Sequence, residues 1–217
     1  MRFERKYQID KSKQSELKIF LISNNFKKIY EERVVSSIYY DTKSFDLYSM
    51  SEDGEALREK IRIRFYNFDT KKINLEIKNK NAELGSKRYD QLGIKNVKLI
   101  PVHFSNYSNK ISNLFIPNKL SIYYYPTVYI QYNRSYFLSR DNDLRLTFDE
   151  NIIFSKATCS YSKILINKKS FNLLSVIELK YDNQYEPNIN FLSELSDRFG
   201  LELTRNSKYC NAINSIY

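Results

Sequence analysis

The sequence predicts an α+β fold in which antiparallel strands form a closed or nearly closed barrel with flanking helices. Several segments alternate strictly between polar and apolar residues, which is the pattern of a β-strand with one buried face. Helices are expected at both ends and in the middle of the chain, between the strands. The 217 residues contain no linker, repeat or change in composition, so we expect a single domain over residues 1–217.

The first half of the chain is predicted to consist mainly of strands. Residues 11–26 are an exception, because Leu17, Phe20 and their apolar neighbours indicate an amphipathic helix that ends at Asn24. Polar turn residues separate the strands, and a short turn or helix is expected at residues 44–50. The predicted strands lie at residues 2–9, 33–41, 58–68, 73–80 and 86–90.

The second half alternates between strands and segments that have no clear pattern. Residues 92–125 are the least regular, since prolines and asparagines interrupt them, and we expect one or two helices there. Residues 161–172 also lack a pattern. Further helices are expected over residues 188–199 and from Asn206 to the C-terminus. The predicted strands lie at residues 126–139, 144–149 and 173–181.

Cationic residues recur on the polar faces of these strands. A strand over Lys60–Tyr66 places Lys60, Arg62 and Arg64 on one face and apolar residues on the other. A single charged face usually contacts water. Because similar faces recur in several strands, we expect them to converge on an enclosed positive channel that contains a few carboxylates. The recurring residues are the pairs Glu4/Lys6, Glu76/Lys78 and Glu178/Lys180, together with Arg88, Arg134 and Arg145.

The charge of the chain favours an anionic partner, since the formal net charge is +10. Arginine binds phosphate through a fork of donors, and lysine adds a point charge. Carboxylates beside a phosphate chain are unfavourable unless a divalent cation lies between the two. The mixture of cations and carboxylates therefore predicts a metal–phosphate complex. A purely basic groove would be expected for nucleic acid, so we expect no nucleic-acid partner.

Other kinds of functional site find little support in the sequence. Cys159 and Cys210 match no metal-binding or disulfide pattern, and we interpret them and His103 as structural residues of a cytoplasmic protein. The chain starts with a charged strand, and no apolar run approaches the roughly 20 residues that span a bilayer. We therefore expect neither a signal peptide nor a membrane span. Tyr39 and Tyr40 are interpreted as aromatic residues of the core or barrel wall.

Eight short motifs follow one another along nearly the whole chain. They are Glu4–Tyr7, Ser37–Asp41, Ile61–Tyr66, Leu75–Lys78, Tyr132–Arg134, Arg145–Asp149, Ile177–Lys180 and Arg205–Tyr209. In this order they resemble the catalytic domain of the VTC (vacuolar transporter chaperone) polyphosphate polymerases. That family belongs to the triphosphate tunnel metalloenzymes, which also include the CYTH-type phosphatases and cyclases.

The resemblance implies a tunnel of antiparallel strands in which the γ-phosphate of ATP is transferred to a growing inorganic polyphosphate chain, with Mn²⁺ or Mg²⁺ as cofactor. The residues implied in catalysis are Arg62, Arg64, Lys78, Arg134, Arg145 and Lys208. The residues implied in substrate binding are Lys6, Lys87, Arg88, Tyr132, Lys180, Arg205 and Ser207, with the choice between Lys87 and Arg88 left open. Glu178 is implied as a metal ligand. Glu4 and Glu76 are either further ligands or carboxylates that orient neighbouring cations.

Two positions depart from the family pattern. Arg2 stands where tunnel phosphatases have the first acid of a Glu-x-Glu-x-Lys motif, which favours a polymerase over a hydrolase with two tightly bound metals. Arg205 replaces a lysine and keeps the charge. The alternatives are a triphosphatase or nucleotidyl cyclase on the same fold, or a non-catalytic module that binds polyphosphate or nucleic acid. Regulation or export would reside in other chains, such as a separate membrane subunit.

Overall fold

The computed structural model describes residues 2–81, 84–92, 124–141, 143–160, 163–182 and 189–217. The strands within these residues are β1 (Arg2–Asp10), β2 (Lys27–Asp41), β3 (Leu57–Tyr66), β4 (Asp69–Asn81), β5 (Leu84–Leu92), β6 (Tyr125–Leu138), β7 (Arg145–Ser160), β8 (Lys163–Phe171), β9 (Leu174–Asp182) and β10 (Glu202–Leu203). The α-helices are α1 (Gln14–Ser23), α2 (Asp46–Glu52), α3 (Ile189–Phe199) and α4 (Lys208–Ile216), and a 3₁₀ turn at Lys11–Lys13 precedes α1. The helices expected within residues 92–125 fall on residues 93–123, which lie outside the described residues.

All ten of these strands belong to one sheet. Its strand order is β10-β1-β9-β7-β6-β2-β3-β4-β5, and β8 pairs with β7 beside this path. Each strand pair whose register is known is antiparallel. In the part of the chain that the structure describes, the end strands β10 and β5 are not paired with each other, so the sheet is not closed there. The α+β class and the antiparallel arrangement are confirmed.

Several strands are longer than the sequence predicts, and β2 and β7 differ most from the predicted bounds. β2 starts at Lys27 rather than at residue 33, because Asn25 adopts a positive φ of 62° and reverses the chain directly after α1. β7 continues to Ser160 rather than ending at residue 149. Asn151 has a φ of 51°, and this left-handed residue interrupts the polar–apolar alternation on which the prediction depends. Among the helices described, none is long and apolar enough to cross a membrane.

The chain divides into two compact units. Unit 1 contains residues Met1–Val34, Tyr132–Ile152 and Phe171–Ser207, and unit 2 contains Val35–Gln131, Ile153–Ser170 and Lys208–Tyr217. The core of unit 1 forms where α1 and α3 pack on β1, β7 and β9. Phe20 of α1 meets Phe199 of α3 edge to face, with ring centroids 5.4 Å apart. Phe148 and Ile177 supply the fully buried apolar face of the strands.

The core of unit 2 contains the apolar faces of β3 and β4. Ile61, Ile63 and Phe65 of β3 are buried together with Leu75 of β4 and Leu47 of α2. Since side chains alternate along a strand, this burial fixes the cationic residues of β3 on the opposite face. A slip of one residue in the register would move those cations into the core, so the hydrophobic pattern also specifies the polar face.

A buried carboxylate holds α2 in unit 2. Asp41 lies at the end of β2 and is fully buried, and its side chain accepts hydrogen bonds from the backbone N–H groups of Leu47 and Tyr48, each at 2.9 Å. The hydroxyl of Tyr209 in α4 donates a further hydrogen bond to it. Burial raises the pKa of Asp41, although these hydrogen bonds oppose the shift. Asp41 therefore caps α2 from the end of the preceding strand and links it to α4.

Candidate functional site

A first group of polar residues in unit 2 lies on the face of β2, β3 and β4 opposite the core. Residues directly across an antiparallel pair share a face. Arg62 lies across from Tyr39 on one side and Glu76 on the other, and Arg64 lies across from Ser37. We call this surface the arginine face. Its members are Ser37, Tyr39, Lys60, Arg62, Arg64, Glu76 and Lys78.

The two guanidinium groups of the arginine face are held by fixed partners. Glu76 is only 3% exposed, and its Oε2 accepts a hydrogen bond from Arg62 Nε at 2.7 Å and lies 2.5 Å from Arg62 Nη2. Arg62 Nη1 donates to the Tyr39 hydroxyl at 2.7 Å. Arg64 Nε donates to Ser37 Oγ at 3.0 Å, and its Nη1 lies 3.9 Å from the same oxygen of Glu76. One buried carboxylate and two hydroxyls thus orient both arginines.

Tyr39 is buried, as predicted for a core or wall aromatic, and it also contacts an arginine of this face. Its ring lies under the guanidinium of Arg62, 5.6 Å from the centroid, and stacks on Tyr209 at 5.1 Å. Burial alone would raise the pKa of Tyr39. The positive charges of Arg62, Arg64 and Lys60 and the hydrogen bond from Arg62 outweigh burial and lower the pKa to about 8. The hydroxyl therefore titrates close to neutral pH.

Strand pairing also brings three lysines into one row. Lys60 of β3 lies across from Lys78 of β4, and Lys78 lies across from Lys87 of β5. Like charges directly opposite each other destabilise a sheet, and a bound anion would relieve that repulsion. The register places Lys87 across from Lys78 and Arg88 across from the core residue Ile77. Lys60 belongs to the cationic face predicted for this strand, but the family resemblance implies no role for it.

A second group of polar residues lies in unit 1, on β1, β7 and β9. Lys6 lies across from Glu178 and Glu4 across from Lys180. On the other side of β9, Thr147 lies across from Glu178 and Arg145 across from Lys180. We call this surface the carboxylate face. Its members are Glu4, Lys6, Arg134, Arg145, Thr147, Asp149, Glu178 and Lys180.

The lysines of the carboxylate face are engaged by acids. Lys180 contacts Glu178 and also lies 3.6 Å from Glu4, and Lys6 lies 2.9 Å from Glu4. Burial raises the pKa of Glu178, and the negative charge of Glu4 adds to this. The positive charges of Lys180, Lys6 and Arg134 outweigh both effects, so the pKa is lowered overall and Glu178 is ionised at neutral pH.

Arg134 has a partner of its own on the carboxylate face. Its Nε and Nη2 donate to the two oxygens of Asp149 at 2.5 and 2.7 Å, in the bidentate geometry typical of arginine and carboxylate. Asp149 is fully buried. Burial would lower the pKa of Arg134, but Asp149 raises it well above the ordinary value, so the cation is permanent. The guanidinium also lies 5.2 Å from the centroid of the Tyr132 ring.

The last predicted site residues surround the start of α4. The helix begins at Lys208, close to the predicted start at Asn206. Lys208 and Ser207 are half-buried, and Arg205 is exposed. The first N–H groups of a helix lack partners within the helix and favour negative charge. The position of Lys208 in the first turn of α4 is therefore suited to an anion.

Two of the predicted metal ligands have the donor chemistry that a divalent cation requires. Glu4 and Glu178 both contact Lys180, and each provides the carboxylate oxygens that Mg²⁺ and Mn²⁺ prefer. Mg²⁺ at nucleotide sites is commonly bound by one or two carboxylates together with substrate phosphates. Glu76 differs, because it is only 3% exposed and its Oε2 is held between two guanidinium groups, whereas Glu4 and Glu178 contact lysines. Of the two alternatives for Glu76, the contacts favour orientation of cations over metal binding.

Comparisons with known proteins agree on family and fold. The family model of the VTC domain matches residues 1–217. No curated protein sequence matches the chain. A putative adenylyl cyclase from Hippeastrum, described as having a dominant triphosphatase activity, is similar in structure with a TM-score of 0.60 and 14% identity, covering 100% of this chain and 97% of that one.

Two further solved structures are similar to the chain at low identity. The PH1819 protein from Pyrococcus horikoshii OT3 has a TM-score of 0.52 and 13% identity, and covers 98% of this chain and 99% of its own. A putative adenylate cyclase from Vibrio parahaemolyticus has a TM-score of 0.52 and 12% identity, with 98% of each chain covered. At such identities the likeness shows the fold alone. The predicted triphosphate tunnel (CYTH-like) fold is thereby confirmed.

Proposed function

Because the chain belongs to the VTC-domain family, we propose that it is a polyphosphate polymerase, which transfers the γ-phosphate of ATP to an inorganic polyphosphate chain. The observation that supports this most strongly is the orientation of two guanidinium groups on the arginine face. Glu76, Ser37 and Tyr39 hold Arg62 and Arg64 in place through the contacts described above. Oriented donors lose less conformational entropy when a phosphate binds.

Phosphate is the ligand that this distribution of charge fits best. A chain of phosphates presents many anionic oxygens, which would offset the repulsion within the row Lys60, Lys78 and Lys87. We assign phosphate binding on the arginine face to Lys60, Arg62, Arg64 and Lys78, and a further phosphate contact to Lys87 of β5. We assign further phosphate contacts to Lys6, Tyr132, Arg134, Arg145, Lys180, Arg205, Ser207 and Lys208.

Phosphoryl transfer requires little covalent chemistry from the protein. A terminal phosphate oxygen of the polymer is already an anionic nucleophile, so no histidine or serine base is needed. This oxygen forms a bond to the γ-phosphorus of ATP, while the bond from that phosphorus to the β–γ bridging oxygen breaks and ADP leaves. Arg62 and Arg64 would align the γ-phosphate and stabilise the charge on its equatorial oxygens.

Glu178 and Glu4 are the residues that would hold Mn²⁺ or Mg²⁺ on the carboxylate face. The ion, when bound, supplies positive charge to phosphate oxygens. Glu178 is ionised because Lys180, Lys6 and Arg134 lower its pKa, so it is ready to bind a cation at neutral pH. In the metal-bound state, we expect Lys180 to move from the two carboxylates toward a phosphate oxygen.

The proposal is tested by product analysis after incubation of the protein with ATP and Mn²⁺. We expect ADP and a ladder of polyphosphate on a gel, and loss of both products when the metal is chelated. Orthophosphate without polymer would instead indicate a triphosphatase, and a cyclic nucleotide would indicate a cyclase. Binding of polyphosphate without turnover under any divalent metal would indicate a non-catalytic module. Because the donor is ATP, we place the reaction in the cytoplasm.

A triphosphatase or nucleotidyl cyclase on the same fold is the second candidate. The triphosphatase activity described for the Hippeastrum protein favours it, as does the description of the Vibrio protein as a putative adenylate cyclase. We favour the polymerase because Arg2 occupies the position where tunnel phosphatases have their first acid. The product assay above distinguishes the two candidates directly.

A further inference from the structure

A buried hydroxyl on the carboxylate face has no partner. Thr147 is 5% exposed, and its Oγ1 makes no hydrogen bond with any residue that the structure describes. A hydroxyl that is removed from water without a hydrogen bond destabilises the folded state. Most buried side-chain polar atoms are paired, so each exception calls for a physical explanation.

The position of Thr147 on β7 suggests what its hydroxyl contacts. Thr147 lies directly across from Glu178, and it shares its face with Arg145 and Asp149, two residues before and after it in the strand. Asp149 in turn binds the guanidinium of Arg134. The hydroxyl is therefore located among the residues to which phosphate and metal binding have been assigned.

The charges around Thr147 favour an anionic group as the hydrogen-bond acceptor for its hydroxyl. Glu178, the acid opposite it, is engaged by Lys180, and Asp149 is engaged in a bidentate pair with Arg134. Both neighbouring acids are thus neutralised by cations. An incoming phosphate oxygen accepts hydrogen bonds and donates none, which matches the donor that the threonine hydroxyl provides. Such a bond, with one charged partner, is stronger than a bond between neutral groups.

We infer that Thr147 is a substrate-binding residue whose hydroxyl donates a hydrogen bond to a phosphate oxygen of the bound triphosphate or polyphosphate. This inference rests on the proposed function, because it requires phosphate on the carboxylate face. It explains why a hydroxyl is kept at a position where a valine of nearly the same shape would avoid the cost of an unpaired donor. The ligand-free protein is thereby slightly less stable, and the phosphate complex is tighter.

The test compares Thr147→Val with Thr147→Ser in two measurements. In the first, the midpoint of thermal unfolding is measured without ligand, and we expect T147V to unfold at a temperature at least as high as the wild type. In the second, the affinity for tripolyphosphate with Mn²⁺ is measured by calorimetry. We expect T147V to bind about tenfold more weakly, and T147S to remain close to the wild type.

Ser155→Ala provides a matched control on the same strand. Ser155 is also buried and its Oγ has no hydrogen-bond partner among the described residues, but it lies two residues before Ala157 of the unit 2 core. We expect S155A to bind tripolyphosphate as the wild type does. If S155A weakens binding as much as T147V, loss of a buried hydroxyl acts through the fold as a whole, and the inference is overturned.

The remaining outcomes separate this inference from the proposed function. Wild-type affinity in a folded T147V variant would overturn the role of Thr147 and leave the polymerase proposal intact. Absence of tripolyphosphate binding in the wild type would overturn both. If T147V does not fold, Thr147→Ala is compared with T147S in the same two measurements, and equal affinities of these two variants would overturn the inference.

Discussion

As defined above, the arginine face and the carboxylate face each include four cationic residues, but they differ in their acids. The arginine face has four cations and one carboxylate, Glu76. The carboxylate face has four cations and three carboxylates, namely Glu4, Asp149 and Glu178. The first therefore retains excess positive charge for an anion, whereas the second is nearly neutral.

This difference in charge suggests different roles for the two faces in binding phosphate and metal. On the arginine face, a polyanion is attracted by the protein alone, and neutral hydroxyls of Tyr39 and Ser37 orient the arginines without cancelling their charge. On the carboxylate face, phosphate would meet Glu4 and Glu178, so a divalent cation is needed to offset their charge. The comparison predicts that the first face determines phosphate affinity and that the second determines the response to metal.

The largest effect is expected from Arg64→Ala and Arg62→Lys. Either change should reduce the rate of polyphosphate synthesis by about 10²–10³-fold, because oriented guanidinium groups stabilise the transferring phosphoryl group. Lysine keeps the charge at residue 62 and so avoids leaving Glu76 buried without a cation, but it lacks the fork. Synthesis is measured from ADP release at saturating Mn²⁺, and circular dichroism verifies folding.

Arg198→Ala is the control for these arginine variants, since Arg198 lies on α3 of unit 1, is half exposed and pairs with Glu16 at 2.9 Å. It should retain full activity. Wild-type rates in both R64A and R62K would show that the arginine face is not part of the active site. They would contradict the assignment of phosphate binding to that face.

The next largest effect separates two glutamates that have similar sequence surroundings. Glu178→Gln should raise the Mn²⁺ concentration needed for half-maximal activity by about tenfold or more, because it removes a charged ligand. Glu76→Gln should lower the maximal rate without changing that concentration, because Glu76 orients arginines. Activity is measured across a range of Mn²⁺ concentrations for both variants. A shifted metal response in E76Q and a normal one in E178Q would reverse the assignment of the two faces.

A smaller effect concerns pH and Tyr39. Deprotonation of Tyr39 places a negative charge on the arginine face, so affinity for tripolyphosphate should fall as the pH rises through about 8. Tyr39→Phe should bind with nearly constant affinity from pH 7 to pH 9, as measured by calorimetry without metal. The stability of the ligand-free protein should depend on pH in the opposite sense to the affinity for tripolyphosphate. The pKa is lower in the folded than in the unfolded state, so the unfolded state holds more protons between about pH 8 and pH 10, and stability rises in that range. If the affinity for tripolyphosphate changes with pH in the same way in Y39F and in the wild type, Tyr39 does not titrate in the site.

The fold and the cationic strands could be predicted because the alternation of polar and apolar residues within a single strand is visible in the sequence. In Lys60–Tyr66 a cation precedes each of Ile61, Ile63 and Phe65, so the buried face and the polar face are both evident from a period of two. The partners of the arginines could not be predicted in the same way. In β2, Ser36 and Ser37 are adjacent and Tyr39 and Tyr40 are adjacent, so each face presents one serine and one tyrosine. Only the register with β3 shows that Ser37 and Tyr39 lie beside the arginines.

The sequence also could not show which of the consecutive cations Lys87 and Arg88 lies on the polar face. The register of β4 with β5 provides a prediction that distinguishes them, and its expected effect is the smallest. Lys87 lies across from Lys78, and Arg88 lies across from Ile77 of the core. Lys87→Gln should therefore weaken binding of tripolyphosphate a few-fold and make it less sensitive to salt, since one screened charge interaction is lost. Arg88→Gln removes the same charge from the neighbouring residue and should change neither quantity. Because the two variants have equal net charge, a difference between them reports position on the sheet rather than total charge. If R88Q had the larger effect, the pairing of β4 with β5 would have to be shifted by one residue, and the lysine row would no longer exist.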